Sequence, residues 1–402
     1  MSYQRQQAEK KLKKRKKSQS DFQLHKLKKL PPINKNLLIV VIMLIIFGIV
    51  AIFSASAPEG ADHYANPLYY PINHLKFAVF GFFLMFLTSR IHFKNWEKWV
   101  IPISVVIIAL IAATLVPGLG RTDYGSSRWL TFLPIQPSEF GKFACILLMA
   151  SCLCKAKSLK DPIIQKHGLL ILIMLAIIFK QPNMSMCIIL IATSFSMLFV
   201  GGMSLTLFGI GVASVIPLVG LAITKMAYQS KRIIGWLDPF SDPQGMGYNI
   251  IQSWYAIASG GLLGVGLGNS KQKLYYLPVG YTDFVFSVIA EESGFVGITV
   301  LVLLFILFIN IGFKIAMRCE NMFGRLMAFG IVFNIGFQAF VNMCVASGVF
   351  PVTGVTLPLI SYGGSSFIVT TAMLGVLMNI SRYSVKKERN SNNENETKQS
   401  QA

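Results

Sequence analysis

Long apolar runs constrain this chain more than any other feature. Of its 402 residues, 53% are hydrophobic and only 13% are charged, whereas an ordinary soluble domain has roughly 25% charged residues. A run of roughly 17–25 apolar residues can cross the hydrocarbon core of a bilayer as a helix. The sequence therefore predicts an all-α polytopic membrane protein with ten transmembrane helices. These helices are predicted at residues 36–56, 73–89, 98–116, 137–154, 168–182, 184–201, 205–224, 283–313, 325–347 and 355–380.

The charges outside the apolar runs predict the orientation. Residues 1–35 carry 12 Lys and Arg against 2 Asp and Glu, and such residues are retained on the cytoplasmic side. With ten spans, both termini are cytoplasmic, and residues 36–382 form the membrane domain. The polar tail 383–402 has a composition typical of disorder. Nucleic-acid binding by the basic tail is a weaker interpretation, because the tail directly precedes a membrane span and attraction to anionic lipid accounts for its charge.

The longest predicted connection joins the seventh and eighth helices. Residues 225–282 lie on the predicted extracytoplasmic side, and a loop of this length without a function is uncommon. Within it, residues 247–259 predict a short amphipathic helix at the membrane interface. The glycine-rich run 260–268 is interpreted as close helix packing or a hinge, because it lacks the strand and the Gly-Lys-Ser/Thr ending of a phosphate loop.

Several Lys and Arg residues lie on the predicted outer face, whereas membrane proteins usually carry more of these residues on the cytoplasmic side. Their position is either incidental to long loops or serves an anionic ligand, and the sequence leaves both open. One group comprises Arg121 and Arg128, and the other comprises Lys225, Lys231, Arg232, Lys271 and Lys273.

Asp283 stands where this long polar segment meets an apolar helix. A carboxylate at the mouth of a membrane span is costly to desolvate, so it usually marks chemistry, transport or a strong partner. The simpler interpretation is a helix N-cap formed together with Thr282. That interpretation does not account for the nearby basic loop, so we favour a catalytic or ligand-binding role for Asp283.

Polar groups also interrupt the apolar helices. Glu139 and Lys142 are three residues apart and can pair on one helix face, either as a structural ion pair or with Lys142 lining an anion-binding cavity. The stretch 357–366 breaks the last predicted helix with proline, paired glycines and hydroxyls, and freed backbone groups at that depth are tolerated where they line a cavity. Interhelical hydrogen bonds account better than ligand contacts for a further stripe, formed by Asn334, Gln338 and Asn342.

Eight polar motifs follow one another in a fixed order along the chain. They are Gln136-Pro-Ser-Glu-Phe-Gly-Lys142, Trp236-Leu-Asp-Pro239, Gly247-Tyr-Asn249, Gln252-Ser253, Tyr276-Leu-Pro278, Thr282-Asp-Phe284, Glu291-Glu292 and Leu357-Pro-Leu-Ile-Ser-Tyr-Gly-Gly-Ser-Ser366. As a set they closely resemble the SEDS family, the FtsW, RodA and SpoVE proteins of bacterial envelope growth. The likeness covers roughly 36–382, and the segment 266–278 is more similar to the division branch, FtsW, than to the elongation branch, RodA.

The resemblance implies a peptidoglycan glycosyltransferase that polymerises lipid II and works with a class B penicillin-binding protein and other divisome proteins. It also implies the bacterial inner membrane, at the division septum. The family usually has Glu-x-His-Thr-Asp where this chain has Val279-Gly-Tyr-Thr-Asp283, so a role for that histidine passes to Tyr281 or is absent. The usual Gln-Pro-Asp-Leu-Gly is Gln181-Pro-Asn-Met-Ser185, so no essential acid is expected there.

The implied chemistry assigns roles to the candidate residues. Asp283 is the general base that takes a proton from the acceptor sugar hydroxyl while a lipid diphosphate departs, and nearby cations stabilise that diphosphate. No resident cofactor is predicted, and a divalent Mg or Mn ion bound with the diphosphate stays open, although the sequence shows no protein ligand set. The candidate substrate-binding residues are Glu139, Lys142, Arg128, Lys231, Arg232, Gln252, Ser253, Thr282, Ser361, Gly363, Gly364 and Ser365.

Two other classes of function remain open. A flippase for a lipid-linked precursor would also use ten helices, buried charges and an amphipathic cavity, but it needs polar contacts that are reachable from both faces. A non-catalytic scaffold that activates a synthase partner would tolerate substitution of Asp283.

Overall fold

The computed structural model describes residues 31–123, 126–131, 135–156, 161–204, 227–278 and 280–399, together with the isolated positions 206, 209 and 213. In this part of the chain the fold is mostly helical, with one small β-hairpin. The helices are α1 (Lys35–Tyr64), α2 (Tyr69–Arg90), α3 (Phe93–Ala113), α4 (Pro137–Lys155), α5 (Pro162–Lys180), α6 (Met184–Val200), α7 (Ala227–Leu237), α8 (Tyr248–Gly260), α9 (Val285–Arg318), α10 (Met322–Ala346) and α11 (Gly364–Gln399).

Eight of the described helices are long and apolar enough to cross a membrane. They are α1 to α5 and α9 to α11, and each corresponds to a predicted span. Helix α6 is apolar but shorter, at 17 residues. The predicted span 205–224 lies outside the described residues apart from the three isolated positions. A multi-pass helical membrane protein is thus confirmed, whereas the count of ten helices stays a prediction.

The first and last spans differ from their predicted bounds. Helix α1 is capped by Asn34 and continues beyond residue 56 to Tyr64. Helix α11 begins at Gly364 rather than at 355, because residues 355–363 include Pro358 and a left-handed turn at Leu359, with φ of 66°. The membrane-length part of α11 ends at Ser384, and the helix continues to Gln399. The predicted disorder of the tail 383–402 stays a prediction.

A β-hairpin between α3 and α4 corrects the expectation of a purely α-helical chain. Strand β1 (Gly120–Asp123) pairs antiparallel with β2 (Ser126–Leu130), and Arg121 lies opposite Trp129. Strands of four and five residues are too short to give a recognisable alternation in sequence. The hairpin positions Arg128 at the end of the bundle where α3 ends and α4 begins.

Helix α9 is broken at Gly294, whose φ of 63° and ψ of −163° are not helical. The break frees backbone groups on both sides, and the glycine-rich run after α8 satisfies them. This confirms the predicted close packing of that run. A Cβ atom at Gly264 would lie 2.1 Å from the carbonyl oxygen of Glu292, so only glycine fits. The four hydrogen bonds are Val265 N to Glu291 O (3.0 Å), Gly266 N to Glu292 O (3.1 Å), Phe295 N to Gly261 O (2.9 Å) and Val296 N to Leu262 O (3.2 Å).

One end of the helix bundle gathers most of the polar connections, and we call it the site end. Hydrogen bonds tie these connections together although they are far apart in sequence. The backbone N–H of Gln136, before α4, donates to Ser365 Oγ at the start of α11, at 2.8 Å. The N–H of Tyr362 donates to the carbonyl of Tyr281, before α9, at 3.0 Å. These bonds bring the starts of α4, α9 and α11 to one place.

Candidate functional site

Asp283 lies at the site end, one residue before the N-cap of α9. The cap position is Phe284, which provides no side-chain cap, so Asp283 is not the N-cap residue of α9. Instead, Asp283 Oδ2 lies 3.6 Å from the position that a Cβ atom at Gly354 would take, and Arg128 Nη1 lies 3.9 Å from the same position. Gly354 is exposed. An acid and a guanidinium group therefore lie beside the same open glycine.

Helix α10 fixes the backbone around Asp283. Asn342 is buried, and its Nδ2 donates to the carbonyl of Asp283 at 2.8 Å and to the carbonyl of Val355 at 2.7 Å. One amide group thus connects the segment that carries the acid to the segment that carries Gly354. The predicted interhelical role of this polar stripe is confirmed, because Asn334 Nδ2 likewise donates to Thr193 Oγ1 on α6, at 2.9 Å.

Two arginines approach Asp283 from different segments. Arg128, on the hairpin, donates from Nη2 to the carbonyl of Pro182 at 2.7 Å. Arg232, on α7, donates from Nη1 to the carbonyl of Val352 at 3.2 Å. Both side chains are part-buried and held by backbone carbonyls, so the positive charge is placed before any ligand arrives. Preorganised cations of this kind stabilise charge that develops during a reaction.

The surroundings of Asp283 adjust its acidity. Burial raises the pKa of Asp283 to about 6, while the charges of Arg232 and Arg128 and a hydrogen bond from Thr282 act in the opposite direction. A carboxylate with a pKa just below neutral is still ionised at pH 7 and accepts a proton more readily than an ordinary one. Such matching of pKa to working pH is what general base catalysis requires.

Tyr281 lies in an aromatic group beside the acid. Its ring centroid is 4.8 Å from that of Tyr70 and 5.8 Å from that of Tyr362. Burial raises the pKa of the Tyr281 phenol above its ordinary value, and a hydrogen bond with Tyr70 adds to this effect. Tyr281 therefore stays protonated near neutral pH. It can donate a hydrogen bond, but it does not replace a histidine as a base.

Glu139 and Lys142 form the predicted ion pair, with Lys142 Nζ 2.5 Å from Glu139 Oε2. The ammonium also donates to Gln338 Oε1 at 2.8 Å, and Gln338 Nε2 donates to the carbonyl of Thr356 at 2.9 Å. Lys142 has 0% of its surface exposed. Its charge does not reach an open cavity, so the structure favours the structural interpretation over direct contact with an anion.

We expect substitution of Lys142 with Met to destabilise the protein by about 3–5 kcal/mol, because it leaves the Glu139 carboxylate buried without its cation. The midpoint of thermal unfolding in detergent measures the loss. Lys155→Met, at the end of the same helix, is the control. Its ion pair with Glu97 has exposed fractions of 43% and 31%, so its loss should cost less than about 1 kcal/mol. Equal effects from the two substitutions would contradict the buried network.

The other candidate residues fall into two groups. Lys231 is exposed on α7, and Gln252, Thr282, Gly363 and Gly364 are partly exposed, so a ligand can reach them. The remaining three residues are serines, and their hydroxyl groups form hydrogen bonds within the protein. Ser253 Oγ bonds to Ser287 Oγ and the Ala346 carbonyl, Ser361 Oγ accepts from Leu357 N, and Ser365 Oγ accepts from Gln136 N.

Sequence reasoning missed Gly354, whose place beside Asp283 and Arg128 has no signal in a single sequence. It also assigned Lys273 to a cationic group that could face a diphosphate. In the structure Lys273 Nζ lies 2.8 Å from Glu292 Oε1 and is nearly buried, so this cation is bound within the protein. Among the described residues, no group of three His, Cys, Asp or Glu side chains could hold a metal ion.

Comparison with known proteins identifies the family. A family model described as "Cell cycle protein", covering the FtsW, RodA and SpoVE proteins, matches residues 34–386. The chain belongs to this family. The family that the sequence motifs indicated, SEDS, is thus confirmed. A relative named "Probable peptidoglycan glycosyltransferase FtsW", from Trichlorobacter lovleyi, is 39% identical over 352 residues, which cover 86% of this chain and 92% of that protein.

Other SEDS relatives agree over the same region. Stage V sporulation protein E of Bacillus subtilis is 36% identical over 355 residues, covering 87% of this chain and 96% of that protein. A chain from a peptidoglycan synthase complex, solved to study how polymerization and crosslinking are coordinated, has a TM-score of 0.72 and 31% identity. It is matched over 87% of this chain and 98% of its own length. The RodA protein of Thermus thermophilus has a TM-score of 0.64 and 27% identity, covering 87% of this chain and 97% of that one.

Proposed function

We propose that this SEDS protein is a peptidoglycan glycosyltransferase that polymerises lipid II into glycan strands. The observation that carries the proposal is the arrangement at Gly354, where a carboxylate of raised pKa and a guanidinium group lie beside an exposed backbone position. Glycosyl transfer from a lipid diphosphate needs a base for the acceptor and cations for the leaving group. Both are present at one end of a membrane-spanning bundle.

The reaction follows from these groups. Asp283 takes the proton of an acceptor sugar hydroxyl, whose oxygen forms a bond to the anomeric carbon of the donor. The bond between that carbon and the diphosphate oxygen breaks, and the diphosphate leaves with the electron pair. Arg128 and Arg232 stabilise the negative charge on the departing diphosphate. A divalent cation, if it takes part, enters as the counterion of the diphosphate. Lys142, which is paired with Glu139, is connected through Gln338 to the carbonyl of Thr356, two residues after Gly354.

The proposal includes a location and a partner. The basic N-terminal tail favours a cytoplasmic N-terminus, and we therefore expect the site end on the outer face of the bacterial inner membrane. The relatives named FtsW support a role in division at the septum. A class B penicillin-binding protein is the proposed partner, supported by the similarity to a chain of a peptidoglycan synthase complex. Other divisome proteins are expected to bind as well.

The test is polymerisation of purified lipid II by the purified protein together with a class B penicillin-binding protein whose own transpeptidase site is blocked. We expect glycan strands on a gel. A second arm places the protein in vesicles that carry fluorescent lipid II in one leaflet. Transfer of lipid II to the other leaflet without polymer would favour the flippase. Polymer of equal yield from an Asp283→Ala variant would favour a non-catalytic scaffold.

The open position at Gly354 makes a separate prediction. Replacing Gly354 with Ala adds a methyl group at ordinary contact distances of 3.6 Å from Asp283 and 3.9 Å from Arg128, so the fold should tolerate it. The methyl group occupies the space where the substrate approaches the acid, and small misplacements of reacting atoms can cost roughly 10²-fold. We therefore expect polymerisation to fall while thermal stability is kept.

The control for this substitution is Gly168→Ala on α5, where an added Cβ atom meets nothing within 4 Å. Polymerisation rates of the two variants are compared at matched amounts of folded protein. A Gly354→Ala variant as active as Gly168→Ala would show that the substrate does not use this space.

A further inference from the structure

A buried ion pair outside the proposed active site joins the chain before Asp283 to the chain after it. Glu292, on α9, accepts hydrogen bonds at Oε1 from Lys273 Nζ at 2.8 Å and from Ser54 Oγ at 2.6 Å. Lys273 Nζ also donates to Ser54 Oγ at 3.0 Å. The exposed fractions of the Lys273 and Glu292 side chains are 7% and 4%. Three segments, α1, α9 and the loop before Asp283, therefore meet at one buried pair of charges.

A second acid on α9, Glu291, binds the same loop. Glu291 is buried, and its carboxylate accepts from Ser270 Oγ at 2.5 Å and from the backbone N–H groups of Lys271 at 2.9 Å and Gln272 at 3.3 Å. Glu291 and Glu292 are adjacent in the sequence. In the structure both bind the protein, and both bind the same short stretch, 270–273. We call Ser54, Lys273, Glu291 and Glu292 the clamp.

Asp283 lies between the two ends of the chain that the clamp joins. The chain leaves the clamp at Lys273, continues through the described residues 274–278 and 280–282 to Asp283, and returns along α9 to Glu291 and Glu292. Two contacts support its path, since Leu277 is buried and Tyr275 Oη donates to the carbonyl of Pro58 at 2.9 Å. The segment that carries Asp283 is therefore held at Lys273 on one side and at Glu292 of α9 on the other, which limits where the carboxylate can lie.

Stability alone does not explain why charges are used here. Desolvating two charges is costly, and replacing a buried ion pair by apolar side chains of similar size is often neutral or stabilising. A charged pair does, however, define one arrangement of the three segments, because an ammonium group buried away from its carboxylate is strongly unfavourable. The defined arrangement of the three segments therefore explains the clamp better than a gain in stability does.

We propose that Lys273 and Glu292 are positioning residues that hold the 274–282 segment so that Asp283 faces Arg128 and Arg232. This inference rests on the proposed function, because it assumes that Asp283 is the base. The clamp residues are not proposed to contact the substrate. Its effect is transmitted through the covalent connection between residues 273 and 283 and through the first turns of α9.

The experiment compares four variants in the complex with the transpeptidase partner. Lys273→Met removes one charge, Lys273→Arg keeps it, and the double variant Lys273→Met with Glu292→Met replaces both charges by apolar groups. Lys155→Met, which breaks an ion pair at the far end of α4, is the control. For each, the midpoint of thermal unfolding, kcat and KM for lipid II, and the pH profile of kcat are measured.

We expect Lys273→Met to lower both the unfolding midpoint and kcat, and Lys273→Arg to recover most of each. The double variant is decisive: its unfolding midpoint returns to near that of the wild type, but kcat stays at least about tenfold lower with KM little changed. The acid side of its pH profile also moves to higher pH, because a displaced Asp283 is farther from the two arginines. Lys155→Met should match the wild type.

Two outcomes would overturn the inference. One is a double variant that recovers kcat together with its unfolding midpoint, which would make the clamp purely structural. The other is a Lys273→Met variant with unchanged kcat and pH profile. Failure of the proposed function is recognised separately, because an Asp283→Asn variant of full activity would remove the base itself, whatever the clamp variants show.

Discussion

Asp283→Asn should lower the rate of glycan polymerisation by about 10²–10⁴-fold, the usual contribution of a positioned general base. Asparagine has nearly the same shape, and the main-chain contact that fixes this position, from Asn342 to the carbonyl of residue 283, does not depend on the side chain. The fold and the binding of lipid II should therefore be kept. Initial rates with fluorescent lipid II, at saturating substrate and with the partner present, measure the change in kcat.

Asp62→Asn is the matched control for that substitution. Asp62 is exposed near the end of α1, at the same end of the bundle, so its replacement removes one negative charge without touching the site. Rates of Asp62→Asn should equal those of the wild type. An Asp283→Asn variant within about threefold of its control would exclude proton transfer to Asp283 as a main contribution to catalysis.

The second large effect should follow removal of the arginines. Arg128→Gln or Arg232→Gln takes away a preorganised cation, and loss of one such group typically costs about 10²–10³-fold in kcat. The pH profile should change as well. In the wild type the acid side should fall with a midpoint near the pKa of Asp283, about 6. Both arginines lower that pKa, so their removal raises it, and the midpoint moves to higher pH.

A control variant tests both the fall in kcat and the shift of the pH midpoint. Arg90→Gln, at the end of α2, removes a cation that lies over the Phe86 ring rather than beside the acid, and it should change neither kcat nor the midpoint. A fall in kcat without a shift of the pH midpoint would mean that the arginines bind substrate but do not face Asp283. A midpoint that moves to lower pH would contradict the site as described.

Much of the membrane architecture could be predicted from sequence because it depends on local pattern. Eight spans follow from apolar length, and the short helix α8 follows from an amphipathic pattern. The Glu139–Lys142 pair was predictable too, because three residues on a helix bring two side chains to one face. Asp283 could be singled out since a charge at the mouth of a span is costly and therefore rare.

The rest of the site depends on contacts between distant segments, and no local pattern encodes these. Gly354 has an unexceptional sequence context, and its importance appears only when Arg128 on the hairpin and Asp283 before α9 are found beside it. Lys273 illustrates the opposite case. Its position in a basic loop left contact with an anion open, but in the folded protein Lys273 forms a nearly buried ion pair with Glu292.

The interruption of α9 at Gly294 has a mechanical consequence. A transmembrane helix adjusts to the thickness of its bilayer by tilting, and in an unbroken helix such tilting would carry both ends along. Here residues 285–293 are separated from the lower part of the helix by a non-helical joint, and the glycine run is hydrogen-bonded to both sides of it. These hydrogen bonds and the close packing against the glycine run hold the joint at one angle, so a change of tilt in the lower part of the helix should still reach residues 285–293.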